Sequence, residues 1–259
     1  LSETDGVSCG DLATRLRDLE AEHGLPGNRV FYLSLPPSRF IPTIEALGNA
    51  GLSRGPGWAR VVVEKPFGRD LASAQELNRT IHQRWNESQV YRIDHYLGKE
   101  TVQNLLVFRL ANAIFESLWN RSHVESVQIL VGEELGVETR AGYYDQAGAL
   151  RDMVQSHLAQ LVCLVAMEVP AAVDAESIRY EKVKVLRSAA APRIEDAVFS
   201  QYVAADDGGT PMRGYLEEPG VAAASKTETY VSLRLAIDNC RWQGVPFYVR
   251  TGKRLKRRL

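Results

Sequence analysis

One stretch of this chain concentrates chemistry. Residues 92–100 read RIDHYLGKE, so Asp94, His95, Tyr96 and Lys99 stand within a few positions of one another, at the end of an apolar run. His95, Tyr96 and Lys99 offer donors and positive charge, which a phosphate dianion needs. Asp94 only accepts hydrogen bonds, which suits it to orient a histidine. Adjacent side chains on a strand point oppositely, so Asp94 and His95 should serve different neighbours. A solvated polar cluster would have the same composition. A second motif, Glu64-Lys65-Pro66-Phe67-Gly68, closes the β-branched run at 60–64. Pro66 forces Lys65 out of the helical region. The lysine is then either a cation fixed beside a ligand or a solvent lysine before a turn. The third candidate is His157. Leu150, Val154, His157, Leu161 and Val165 recur at helical spacing, which puts the histidine on an apolar face. It is either a satisfied core residue or, with a carboxylate such as Asp94 to fix its tautomer, a general base.

These side chains need a frame. Residues 29–35 (RVFYLSL) read as a buried strand, 60–64 (RVVVE) as a second and 89–93 (QVYRI) as a third. Helical spacing marks 11–22, 39–50 and 70–85, the last with Asp70 as N-cap and Leu71, Ala74, Leu77 and Ile81 inward. Strand–helix alternation predicts a parallel sheet with crossover helices, and such sheets place ligands at the carboxyl ends of their strands. Lys65 and Asp94 each follow such an end. After residue 94 the rhythm changes. A helix at 99–113 leads to a strand at 124–131, a glycine-rich turn region at 132–148 and helices at 149–167 and 174–188. Strands follow near 197–204, 227–237 and 245–250, with 205–225 a surface-loop candidate. The fold class is therefore α/β plus α+β: a parallel-sheet domain at 1–94, then a domain at 95–259 with a large, mainly antiparallel sheet.

Composition narrows the function. Lys and Arg total 31 against 32 Asp and Glu, a net charge of −1, so no strong field points to nucleic acid or a membrane surface. The basic tail from Lys253 to Arg258 stands alone and does not make a nucleic-acid patch. Three dispersed cysteines without a CxxC pair argue against a disulfide framework or a zinc site, and no other metal constellation stands out. Residues 1–22 are polar, and the most apolar stretch, 161–167, is far shorter than the roughly 20 residues a membrane helix needs. A cytoplasmic location is the default. Gly10-Asp11-Leu12-Ala13 follows no apolar strand and fails as a phosphate-binding turn. His23, His82 and His123 are isolated, and the four tryptophans form no stacking series. The chain opens without methionine and closes in a basic, strand-like LKRRL, so both ends read as cut.

Taken together, RIDHYLGKE, EKPFG, residues 142–161 (GYYDQAGALRDMVQSHLAQL), AMEVP at 166–170 and residues 244–255 (GVPFYVRTGKRL) resemble the glucose-6-phosphate dehydrogenase family. The resemblance runs from about residue 28 to the end. It implies a partial Rossmann-like coenzyme domain and an α+β substrate domain. It also implies oxidation of glucose 6-phosphate at C1 to 6-phosphoglucono-1,5-lactone, with hydride passed to NADP (NAD in some members), at the entry to the pentose phosphate pathway. On this match His157 is the base, in Gln155-Ser156-His157, where other members often have Asn at the middle position. Asp94 is its partner. His95, Tyr96 and Lys99 hold the phosphate. Glu133, Asp152 and Lys253 meet sugar hydroxyls, and Arg258 is a further substrate contact. Lys65 stands where substrate and coenzyme meet, with Pro66 as a hinge. The family implies a homo-oligomer, dimer or tetramer. Its glycine fingerprint would precede Leu1 and its later strands would follow Leu259. Two other readings compete. One is a truncated, non-catalytic product that binds sugar phosphate or a full-length partner. The other is a glucose–fructose oxidoreductase relative, which would lack RIDHYLGKE.

Overall fold

The computed structural model describes residues 8–207 and 210–257, in two compact units, 1–94 and 95–259.

The first unit alternates helix and strand. Helix α1 (Cys9–Glu22) opens on a capping box in which Ser8 and Asp11 satisfy each other's backbone amides. Strand β1 (Arg29–Leu33), α2 (Phe40–Asn49), β2 (Ala59–Glu64), α3 (Leu71–His82) and β3 (Val90–Ile93) follow. The strands lie in the order β1-β2-β3, all parallel. Leu33, Val61 and Val63 from the sheet and Phe40, Ile44, Leu47, Leu77 and Ile81 from the helices build one core. Two sequence expectations change here. The strand at 29–35 is not buried on both faces: Leu33 is buried but Val30 and Tyr32 are 55% and 53% exposed. The core helices pack only on the Leu33 side, and alternation turns Val30 and Tyr32 the other way. Leu71 is 74% exposed rather than inward. At 100° per residue it sits roughly 90° from the direction shared by Ala74, Leu77 and Ile81. Asp70 does cap α3, accepting from the Ser73 amide at 2.8 Å.

The second unit begins with a short 3₁₀ turn at His95–Gly98 and α4 (Glu100–Ala111). The helix predicted to 113 breaks at Asn112, and a short α5 (Ala113–Glu116) follows. Then come β4 (Val127–Gly132), α6 (Ala141–Ala149), a π-helix (Leu150–Leu158), α7 (Ala159–Ala166), α8 (Ala175–Ser188), β5 (Ala197–Ser200), β6 (Ala205–Asp207), β7 (Thr210–Met212), β8 (Tyr230–Leu235) and β9 (Phe247–Gly252). The main sheet runs β4-β9-β8-β5, with β4 and β9 parallel and the other pairs antiparallel. Strand β6 pairs with β7 inside the segment expected to be loop. The glycine-rich region at 132–148 ends in helix α6 rather than turn. Among the described residues the basic stretch after β9 forms no strand: β9 stops at Gly252, and residues 255–257 are irregular.

The helix predicted at 149–167 is continuous but changes pitch. Its far end is capped by side chains. A helix leaves its last carbonyls without intrahelical partners. Here Arg109 donates to the Leu164 and Met167 carbonyls at 2.7 and 2.8 Å, while the indoles of Trp119 and Trp242 donate to those of Val165 and Ala166, each at 2.8 Å. Leu158, Val162, Trp242, Phe247 and Val249 join the core between this helix and the sheet.

Candidate active site

In the first unit, β2 and β3 are in register with Glu64 opposite Ile93. Lys65 and Asp94 therefore leave neighbouring strands at the same, carboxyl edge of the parallel sheet. The Lys65–Pro66 peptide is cis. Around it, the Tyr32 hydroxyl donates to the Glu64 carboxylate, and the Arg92 guanidinium lies 4.8 Å from the Phe67 ring centroid.

In the second unit, the remaining described candidates converge. His157 is 1% exposed. It sits in the π-helix, which widens the turn and redirects side chains, a feature met often at functional sites. Tyr96 stacks on its ring with centroids 4.1 Å apart, and His95 meets it edge-on at 4.7 Å. The Lys99 ammonium lies 3.4 Å from the centre of the Tyr96 ring. A cation over an aromatic face is held by the ring quadrupole, so Lys99, Tyr96 and His157 form one stack.

Beside the stack is a cavity of about 690 Å³, lined in part by Tyr96, Lys99, Glu133, Tyr144, Asp152 and Lys253. The Lys253 ammonium meets the Glu133 carboxylate at 2.5 Å. This pair spans two adjacent parallel strands: Glu133 follows the end of β4 and Lys253 that of β9, with Gly132 opposite Gly252. Asp152 is buried in the π-helix and accepts from the Tyr143 hydroxyl at 3.4 Å. Sequence reasoning missed Tyr144. It is 2% exposed, and Lys253 lies 5.1 Å from its ring centroid. Burial first, then the Asp152 charge, raises the Tyr144 phenol well above its ordinary value. It remains a neutral donor. Its clue was the inward spacing of Ala141 and Tyr144 in the stretch taken as turn. Arg258 lies outside the described residues.

The arrangement brings cationic and aromatic groups, a carboxylate–ammonium pair and a buried carboxylate to one cavity. That combination can hold a small polyhydroxylated anion. The match to known proteins is equally specific. The model for the NAD binding domain of glucose-6-phosphate dehydrogenase matches residues 2–104, and that for its C-terminal domain matches 106–259. This chain belongs to the glucose-6-phosphate dehydrogenase family. The two family models meet inside α4, whereas the compact units part before it, because Val102, Leu105 and Leu106 of α4 pack into the second unit's core. Glucose-6-phosphate 1-dehydrogenase of Bacillus subtilis is 50% identical over 258 residues, 98% of this chain and 53% of its own length. That of Rhizobium meliloti is 53% identical over 243 residues, 92% of this chain and 49% of its own. A solved glucose-6-phosphate dehydrogenase in complex with its substrate glucose-6-phosphate superposes with a TM-score of 0.89 at 40% identity, over 96% of this chain and 51% of that one. The Mycobacterium avium enzyme gives 0.81 at 41% identity, over 95% and 52%. The chain thus spans about half the length of the relatives it matches. Among the described residues, no helix is long and apolar enough to cross a membrane.

Proposed function

We propose that the intact protein oxidises glucose 6-phosphate at C1 to 6-phosphoglucono-1,5-lactone, passing hydride to NADP, with NAD as the alternative acceptor. The observation that carries this reading is the buried His157, stacked on Tyr96 with Lys99 over the same ring, where Tyr96 and Lys99 line a cavity together with Glu133, Asp152 and Lys253, in a chain of this family.

The roles follow from chemistry. Hydride leaves C1 more readily as the attached oxygen gains negative charge, so His157 takes the C1 hydroxyl proton. Asp94 is assigned as the carboxylate that favours the resulting imidazolium, on the residue match alone. His95, Tyr96 and Lys99 hold the phosphate, using binding energy remote from C1 to orient the reacting carbon. Glu133, Asp152 and Lys253 receive the sugar hydroxyls. Lys253 and Glu133 are paired with each other, so sugar entry exchanges one strong contact for several. The coenzyme supplies the hydride acceptor when bound. Lys65 is assigned to the meeting point of substrate and coenzyme, being a lysine at the carboxyl edge of a parallel sheet, with Pro66 as a hinge there on the residue match. Arg258 is assigned to the substrate on the residue match. The protein works as a homo-oligomer, a dimer or tetramer, in the cytoplasm.

The test is His157→Asn in the intact protein. Turnover falls by a factor on the order of 10²–10⁴, the usual worth of a general base, while glucose 6-phosphate still binds with nearly unchanged affinity. Wild-type kcat in the variant would remove His157 from its role. Oxidation of glucose as fast as of glucose 6-phosphate would remove the phosphate site.

A further inference from the structure

The helix that carries Asp152 and His157 must start somewhere, and its first amides have no intrahelical acceptor. One residue receives two of them. The carboxylate of Glu228 accepts the Leu150 amide at 2.9 Å, and its backbone carbonyl accepts that of Ala149 at 3.0 Å. A carboxylate there also meets the positive end of the helix dipole. The approach depends on Gly148, whose φ of 69° and ψ of 171° break the chain between α6 and the π-helix. A Cβ at Gly148 would overlap the Glu228 carboxylate, so glycine is required for both space and conformation.

Glu228 is fixed in turn. Thr227 donates its hydroxyl to the Asp145 carbonyl at 2.6 Å, and the Asp145 carboxylate accepts from Tyr215, Ser225 and the Ala222 amide. Next in sequence, the carbonyl of fully buried Thr229 accepts the Lys253 amide at 3.0 Å. Residues 228 and 229 therefore grip the start of the site helix with one peptide and the backbone of Lys253 with the next. Glu228 itself does not line the cavity.

The geometry points to Glu228 as a positioning residue: with Gly148 making room for it, it sets the height and rotation of the helix bearing Asp152 and His157 relative to Lys253. This deepens the reading given under Proposed function and rests on it for its kinetic part. A displacement of about 1 Å at a reacting group costs on the order of 100-fold in rate, and a helix released at its first turn can shift by that much.

The experiment compares Glu228→Ala, Glu228→Gln and Gly148→Ala in the intact protein. It reads kcat and KM for glucose 6-phosphate, the pH profile of kcat/KM, and hydrogen exchange of the amides at 149–151. Glu228→Ala is expected to lower kcat about 10- to 100-fold with KM changed much less, to shift the profile, and to speed exchange at 149–151 at least about tenfold through loss of the cap. Glu228→Gln keeps an acceptor oxygen and recovers most of kcat. Gly148→Ala lowers kcat in the wild-type background and costs less when Glu228 is already Ala, because the overlap is gone. Glu228→Ala with wild-type kcat per folded molecule and an unshifted profile overturns the proposal, even if the protein melts earlier. Unchanged exchange at 149–151 overturns it as well. Should the wild-type protein fail to oxidise glucose 6-phosphate, the proposed function falls, while the exchange measurement still decides whether Glu228 holds the helix.

Discussion

Replacing Arg109 by methionine should destabilise the second unit by about 3 kcal/mol. The guanidinium is almost fully buried and makes two short hydrogen bonds, to the Leu164 and Met167 carbonyls. Methionine fills much of the same volume, so the loss is chiefly polar. Each buried carbonyl left unpaired costs about 1–3 kcal/mol, which gives about 2–6 for two. Against this, removal of Arg109 relieves the burial that lowers its own proton affinity, a desolvation cost that buried ions carry. Glu116 loses the Arg109 cation 3.6 Å from one carboxylate oxygen but keeps Arg241 at 2.7 Å from the other, so its charge stays paired. The relief of that desolvation places the change in the lower half of the range, at about 3 kcal/mol. Urea unfolding of the intact protein, followed by tryptophan emission, measures it. Trp119 and Trp242 cap the two carbonyls between those of Arg109, so their emission reports this end of the helix. With a urea m-value of roughly 1–3 kcal/mol per molar, the midpoint should fall by about 1–3 M. Arg109→Lys should recover only part of the loss, because a point-like ammonium does not span two carbonyls as a planar fork does. A shift worth less than about 1 kcal/mol for Arg109→Met would refute the cap as a stabilising device.

Three further outcomes are expected. Asp70→Ala should cost about 1 kcal/mol by removing the cap of α3, read as an earlier thermal midpoint of the first unit. Burial raises the Cys163 thiol to about 11, which disfavours the thiolate, so iodoacetamide at pH 8 should modify exposed Cys240 in the native protein and Cys163 only after unfolding; rapid native labelling of Cys163 would contradict its burial. The Glu168 carboxyl is held below its usual range, first by its hydrogen bond from Arg241. A depressed carboxylate stabilises the fold above its unfolded pKa and loses that contribution as pH falls through the folded value. Glu168→Gln should therefore flatten the acid limb of the stability curve below about pH 4.5 and leave the curve above pH 6 parallel to wild type.

Much of the candidate site was legible in the residues. RIDHYLGKE concentrates donors and an acceptor, and the helical spacing around His157 placed it on a buried face, where the structure has it. The parallel sheet followed from strand–helix alternation, since short strands joined through helices leave few other solutions. Local signals failed where two patterns overlapped. Gly142 and Gly148 made 132–148 read as turn, yet Ala141 and Tyr144 bury their side chains on a helix. Apolar residues at 29–35 suggested burial on both faces, but periodicity says only which residues share a face, not whether anything packs on it.

By itself the sequence determined most of the elements, their order, the likeness to a family and the candidate residues for the chemistry, because these depend on spacing and side-chain type along the chain. The tertiary structure alone decided how those residues meet. The Lys253–Glu133 pair across β4 and β9 and the stack of Lys99 and Tyr96 on His157 join residues far apart in sequence. So do the two ends of the site helix, held by Glu228 on one side and by Arg109, Trp119 and Trp242 on the other. The physical reason is that orphan amides and carbonyls accept any well-placed partner, and only the packed chain determines which partner is in reach.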